Sequence, residues 1–137
     1  MNMNSAGGIL IGIDCDDYTQ KTILEVSRLA CMAVAFMTFA EFVFANIPPS
    51  VIILVALRRA KNLSEFIATI RAAHPEAEII ILSQVADEHL WCEALKLGAC
   101  DLLPIPPERN DLLLAVIKAQ TSKELPAPCA DAATWLH

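Results

Sequence analysis

The chain has 137 residues, a length that suits one domain with a sizeable core. Apolar residues make up 55% and charged residues only 19%, a balance expected of strands buried on both faces of a parallel sheet. The formal net charge of −6 argues against a nucleic-acid-binding surface, which needs clustered Lys and Arg to displace counterions.

Residues 1–8 (MNMNSAGG) read as a flexible lead-in with no signal-peptide pattern. Residues 9–13 form an apolar block suited to a buried strand, broken by acidic residues at 14–17. Ile23, Val26, Leu29 and Ala30 then recur at helical spacing. Residues 33–37 read as a second strand and 39–46 as a short helix. After the turn Pro48-Pro49-Ser50 comes a third strand at 51–55. Leu63, Phe66, Ile67 and Ile70 mark a helix that must stop before Pro75, because proline cannot continue it. A fourth strand is expected at 79–82. A helix at 87–97 follows, closed by Gly98, which suits a left-handed cap. A short strand at 101–103 leads to a last helix at 108–119, with Leu112, Leu113, Val116 and Ile117 on its stripe. Residues 121–137 are Pro/Ala-rich and aperiodic, so a disordered tail is expected, with no room for a DNA-binding output domain.

Residues 29–47 are nearly all apolar and about as long as a membrane span. Glu41 lies among them, and a carboxylate at membrane depth costs about 3 kcal/mol on insertion scales. A strand, a short helix and a further strand explain the same letters without that cost, so no membrane segment is expected. The five cysteines (Cys15, Cys31, Cys92, Cys100, Cys129) show neither a CxxC pair nor zinc spacing. They suit a reducing cytoplasm, most of them as small buried hydrophobes. His74, His89 and His137 lack ligand spacing and are expected at the surface.

Strands alternating with helices imply an α/β domain over residues 9–120, its parallel sheet joined by right-handed crossovers. In such folds function sits in the loops at the carboxyl ends of the strands. Here those loops open at Asp14, Thr38, Val55, Ser83 and Leu103. The stretches "ILIGIDCDDYTQKTILEVSRLA", "PPSVIILVALRRA" and "IIILSQVADEHLWCEALKLGACDLLPIPP", in that order, resemble the receiver domain of two-component response regulators. The resemblance implies a flavodoxin-like, CheY-like three-layer sandwich, with five parallel strands in the order 2-1-3-4-5 and five helices.

Receivers accept a phosphoryl group on an Asp ending the third strand. An acidic pair after the first strand holds Mg²⁺, a Thr or Ser ends the fourth strand, and a Lys precedes the last proline. Counted from Pro49 along the family pattern, the acceptor position falls on Val55. The Lys position falls on Ile105, and the acidic pair on Asp14 and Cys15, with Asp16 nearby. Only Asp14 and Ser83 keep the family's residue types. A slip of one or two residues restores nothing, since no Asp or Glu lies between Ser50 and Asn62. The resemblance is therefore to a degenerate receiver: not an enzyme, with no cofactor expected, and with Asp14 and Asp16 the ligands if any metal binds.

Arg58 and Arg59 are candidates to place a guanidinium against Asp14 or Asp16 in place of the metal and the Lys. In the family the face made by the fourth helix, fifth strand and fifth helix docks partners or a second copy. Leu90, Trp91, Leu95 and Leu102 stand there, Leu102 at the aromatic switch position. The expected role is a phosphorylation-independent signalling adaptor that binds a protein or itself, possible homodimer included. The alternative is a small-molecule sensor using the vacated pocket.

Overall fold

The computed structural model describes residues 8–45, 51–57, 63–84 and 87–124. Five parallel strands, β1 (Ile9–Ile13), β2 (Ala33–Met37), β3 (Val51–Leu57), β4 (Glu78–Ser83) and β5 (Asp101–Pro104), lie in the order 2-1-3-4-5. The helices are α1 (Asp17–Leu29), α2 (Phe39–Phe44), α3 (Leu63–Ala73), α4 (Glu88–Lys96) and α5 (Arg109–Glu124). This is the fold class expected from the resemblance.

Alternation along the buried strands feeds two separate cores, because successive side chains point to opposite faces. Ile11, Ile13, Ile53, Val55, Ile79 and Ile81 pack with α2, α3 and α4. Leu10, Ile52, Leu54, Ala56, Ile80 and Leu82 pack with α1 and α5. This two-sided burial accounts for the continuous apolar runs in β3 and β4.

Helix ends follow local capping chemistry. Asp16 caps α1 by accepting from Thr19 N at 2.8 Å, and Asp87 caps α4 by accepting from Leu90 N at 2.8 Å. Glu41 belongs to a capping box on α2: its carboxylate accepts from Thr38 N at 2.8 Å, while Thr38 Oγ1 accepts from Glu41 N at 3.1 Å. The described part of the apolar stretch, residues 29–45, is thus divided among the end of α1, β2, α2 and their junctions. Among the described residues no helix is long and apolar enough to cross a membrane.

Some expectations need correction. Leu29 is 58% exposed, since it lies roughly 240° round α1 from Ile23 and falls off the buried stripe. Ile117 is 43% exposed, because the stripe of α5 is Leu112, Ala115, Val116 and Ala119. The strand β3 runs two residues past Val55. The last helix continues to Glu124, through residues expected in the tail; Gln120 to Glu124 carry no proline or glycine to stop it. His74 is half-buried, its ring 4.9 Å from that of Phe42. Cys31 and Cys92 are exposed, whereas Cys15 and Cys100 are partly buried. Residues 125–137, including Cys129 and His137, lie outside the described residues.

At the amino end of the sheet, Arg71 of α3 binds two turns together. Its Nη1 donates to the carbonyls of Pro75 at 3.2 Å and Ala77 at 2.5 Å, and its Nη2 to that of Gly98 at 2.8 Å. Gly98 has φ +106°, so the turn that offers this carbonyl requires glycine. We expect Arg71→Ala to lower the unfolding free energy by about 2 kcal/mol, the range for hydrogen bonds from a charged donor. Urea unfolding with an unchanged m-value checks this.

Candidate functional site

The carboxyl ends of β1, β3 and β4 meet at a cleft lined by Asp14, Asp16, Thr19, Ala56, Gln84 and Ile105. The strand registers decide this membership. Ile13 pairs with Val55, so the residue level with Asp14 on β3 is Ala56. Val55 is fully buried in the opposite core, among side chains that pack with α2, α3 and α4. On this register Ala56 lines the cleft, while the side chain of Val55, the position expected from the family pattern, is turned into the opposite core. Neither side chain carries an oxygen.

Asp14 takes φ 58°, in the left-handed region that Asp tolerates better than most residues. Its backbone N–H donates to Met37 O at 3.0 Å, and its carboxylate accepts from Phe39 N at 3.3 Å. The first acidic residue is thus tied to the β2–α2 junction. Cys15 packs partly into the α1/α5 core, with Gln20 Nε2 donating to its carbonyl at 3.0 Å. Burial, then the neighbouring carboxylates of Asp16 and Asp14, push the Cys15 thiol up to about 12. A protonated thiol holding no charge cannot replace the second carboxylate of the receiver pair.

Gly12 lets Phe36 of β2 lie across β1 beside Cys15. A Cβ there would stand 2.7 Å from Phe36 Cδ1 and 3.2 Å from Cys15 Sγ. Ser83 is fully buried at the end of β4, and its carbonyl accepts from Ile105 N at 3.0 Å. The Ile105 side chain packs against the α1/α5 core and lines the cleft, where receivers carry a cation. Arg58 and Arg59 lie outside the described residues.

The cleft measures about 10 Å³, space for about one water. The donor set does not fit Mg²⁺, which keeps several waters in a near-octahedral shell of oxygens. Asp14 and Asp16 are engaged with backbone N–H groups, Cys15 is a thiol, and Ala56 offers nothing. Among the described residues no group of three His, Cys, Asp or Glu could hold a metal ion. Two cleft residues escaped sequence reasoning. Thr19 is buried with its hydroxyl unpartnered among the described residues, and Gln84 directly follows Ser83. Their positions just beyond the capping Asp16 and the strand-end Ser83 were the available signal.

On the expected partner face, Trp91 is 42% and Leu95 37% exposed. Leu90 and Leu102 are buried in the core shared by α2, α3 and α4, which corrects their assignment to a docking surface. The Trp91 indole N–H donates to Asp101 Oδ1 at 3.2 Å, joining α4 to the start of β5. Leu114 and Ile117 of α5 are also exposed, a feature hidden by their place in an apolar run.

No protein-family model matches the sequence, and no curated protein matches it. Solved structures do match. A response regulator from Thermotoga maritima superposes with a TM-score of 0.75 at 21% identity, over 85% of this chain and 99% of that one. The pilus assembly protein CpaE from Caulobacter crescentus gives 0.68 at 16% identity, over 80% of this chain and 94% of that one. A CpaE-type protein from Burkholderia thailandensis gives 0.67 at 20% identity, over 85% and 99%. The fold is that of response-regulator receiver domains.

The thiols generate a pH prediction. Burial is also the main reason the Cys100 thiol is pushed up to about 12, with Glu78 next. Both cysteines ionise in the unfolded chain from the ordinary value of 9.0 upward but stay protonated in the folded chain. The folded state then binds more protons, so stability falls as pH rises between those values. We expect the melting temperature to drop above pH 9.0, and Cys15→Ala to flatten that drop without removing it. Iodoacetamide in mildly alkaline buffer should label Cys31 and Cys92 before Cys15 and Cys100, as peptide mass mapping would show.

Proposed function

We propose that this domain acts as a receiver-like signalling adaptor that works by protein–protein contact and transfers no phosphoryl group. One observation carries the reading: at the carboxyl end of β3 the residue that lines the cleft is Ala56 and the one expected at the acceptor position is Val55, and neither side chain bears an oxygen that could attack. No Asp or Glu lies between Ser50 and Asn62, so neighbouring positions cannot supply the missing oxygen. Ile105 at the cleft removes the cation that would stabilise a phosphoryl group. The chain is then a binding module in a cytoplasmic setting, not an enzyme.

The partner, a protein or a second copy, engages the face of α4, β5 and α5. Trp91 and Leu95 offer exposed apolar surface there, and tryptophan is common among interface hot spots. A metabolite sensor is less well supported, since a cleft of about 10 Å³ is far below the ~300 Å³ at which small-molecule pockets begin. The fold neighbours include pilus assembly proteins as well as response regulators, so both settings are open to such an adaptor.

Three experiments test this. Incubation with acetyl phosphate and Mg²⁺ followed by intact-mass measurement should show no phosphoryl adduct, and millimolar Mg²⁺ should leave the melting temperature unchanged. An adduct on any carboxylate of the domain ends the proposal. Trp91→Ala should lower the melting temperature modestly, through the lost bond to Asp101, and should weaken capture of the partner from native cell extract at a temperature where the variant stays folded; equal capture would move the docking face elsewhere.

A further inference from the structure

We propose that two copies of this domain pair antiparallel along the free edge of β2, joining their sheets. The surface differs from the α4–β5–α5 face, and the inference does not rest on the adaptor reading.

The two edges of the sheet are unlike. The edge strand β5 is short, carries Asp101 and Pro104, and has the Trp91 indole hydrogen-bonded to Asp101. Charges and proline are the usual means of blunting an edge. By contrast β2 reads Ala-Val-Ala-Phe-Met, with no charge and no proline. It pairs with β1 on one side, and no described strand pairs with the other. Ala33 is exposed, and Val34 to Met37 are half-buried, so this edge carries apolar side chains, and its outer side pairs with no strand among the described residues.

A two-fold axis normal to the sheet through Ala35 sets Val34 opposite Phe36 of the second copy. Both side chains pack against the core under α1, so the cores would join on that face. Helix α1 lies over β2 and β1. With strands about 4.8 Å apart, the two α1 helices would lie roughly 10 Å from each other, an ordinary helix-packing distance.

The charges on α1 suit that arrangement. Its Tyr18, Thr22 and Glu25 flank the start of α5, with Glu25 4.0 Å from Arg109. Turned further from α5 is a ridge of Asp17, Leu24 and Arg28, which lie within about 40° of one another round the helix; Arg28 borders Glu25 on the solvent side of that ridge, as Lys21 does. Asp17 is in the first turn, Arg28 is in the last, and Arg28 has no ion pair among the described residues. Antiparallel apposition brings Asp17 against Arg28 of the second copy, twice, with Leu24 near the axis. That self-complementarity is what an isologous interface needs. A stable pair buries about 800 Å² per partner, more than one strand edge supplies. The α1 flank extends the contact on one face, and α2 with the exposed Val43 and Phe44 on the other.

Sedimentation equilibrium of the full chain, from micromolar to submillimolar concentration, should show a species of twice the 14.9-kDa chain mass. Ala35→Lys should weaken association at least about tenfold by placing a charge on the edge. Arg28→Asp should weaken it about tenfold, and Asp17→Arg with Arg28→Asp should recover most of that loss. The charge variants alter exposed positions, so they decide the matter if Ala35→Lys fails to fold by circular dichroism. A chain that stays monomeric throughout overturns the proposal, as does a dimer that responds neither to Ala35→Lys nor to the charge swap. A monomer whose β2 amides resist hydrogen exchange at every dilution would show the edge covered by its own chain, and overturns it too.

Discussion

The register between β1 and β3 governs everything at the carboxyl end of the sheet. Parallel strands exchange slanted hydrogen bonds that lock residues into fixed partners, and a shift of one residue turns every side chain to the opposite face. Ile13 beside Val55 therefore places Asp14 level with Ala56. With Val55 committed to one core, the cleft on the other face receives a methyl group. The tied Asp14, the protonated Cys15 and the apolar Ile105 share the same end of the sheet.

Much of this was legible before any coordinates. The strand blocks at 9–13 and 33–37 were found with their bounds, the first because Asp14 ends its apolar run and the second with only Thr38 to mark its close. Capping residues betrayed α4, where Asp87 and Gly98 bracket the helix. The parity of β3 was not legible. Five successive large apolar residues, then Ala56, carry no alternation, so sequence cannot say which face each one meets. Counting along a family pattern gave Val55, whose side chain packs in one core while that of the next residue, Ala56, lines the cleft. The conclusion survived because neither candidate bears oxygen.

The helix faces show the same limit in another form. Leu29, Leu90 and Ile117 were assigned by apolarity within a run, yet burial followed angular position. Leu90 went inside while Trp91 and Leu95 stayed partly outside. Apolar composition this high leaves more large side chains than two cores can hold. The surplus stands at the ends and outer faces of α1, α2, α4 and α5, where partners rather than solvent are the natural cover.

The central proposal is that phosphoryl transfer is lost for want of an oxygen at the cleft end of β3, where Ala56 and not Val55 lines the cleft. It is tested most directly by restoring the chemistry. Ala56→Asp combined with Cys15→Asp and Ile105→Lys should fold and gain a phosphoryl adduct from acetyl phosphate and Mg²⁺ by intact mass. Val55→Asp in the same background should unfold, because it buries a carboxylate in the core under α3 and α4. A folded Val55→Asp protein that takes up phosphoryl, beside an inert Ala56→Asp protein, would contradict the account.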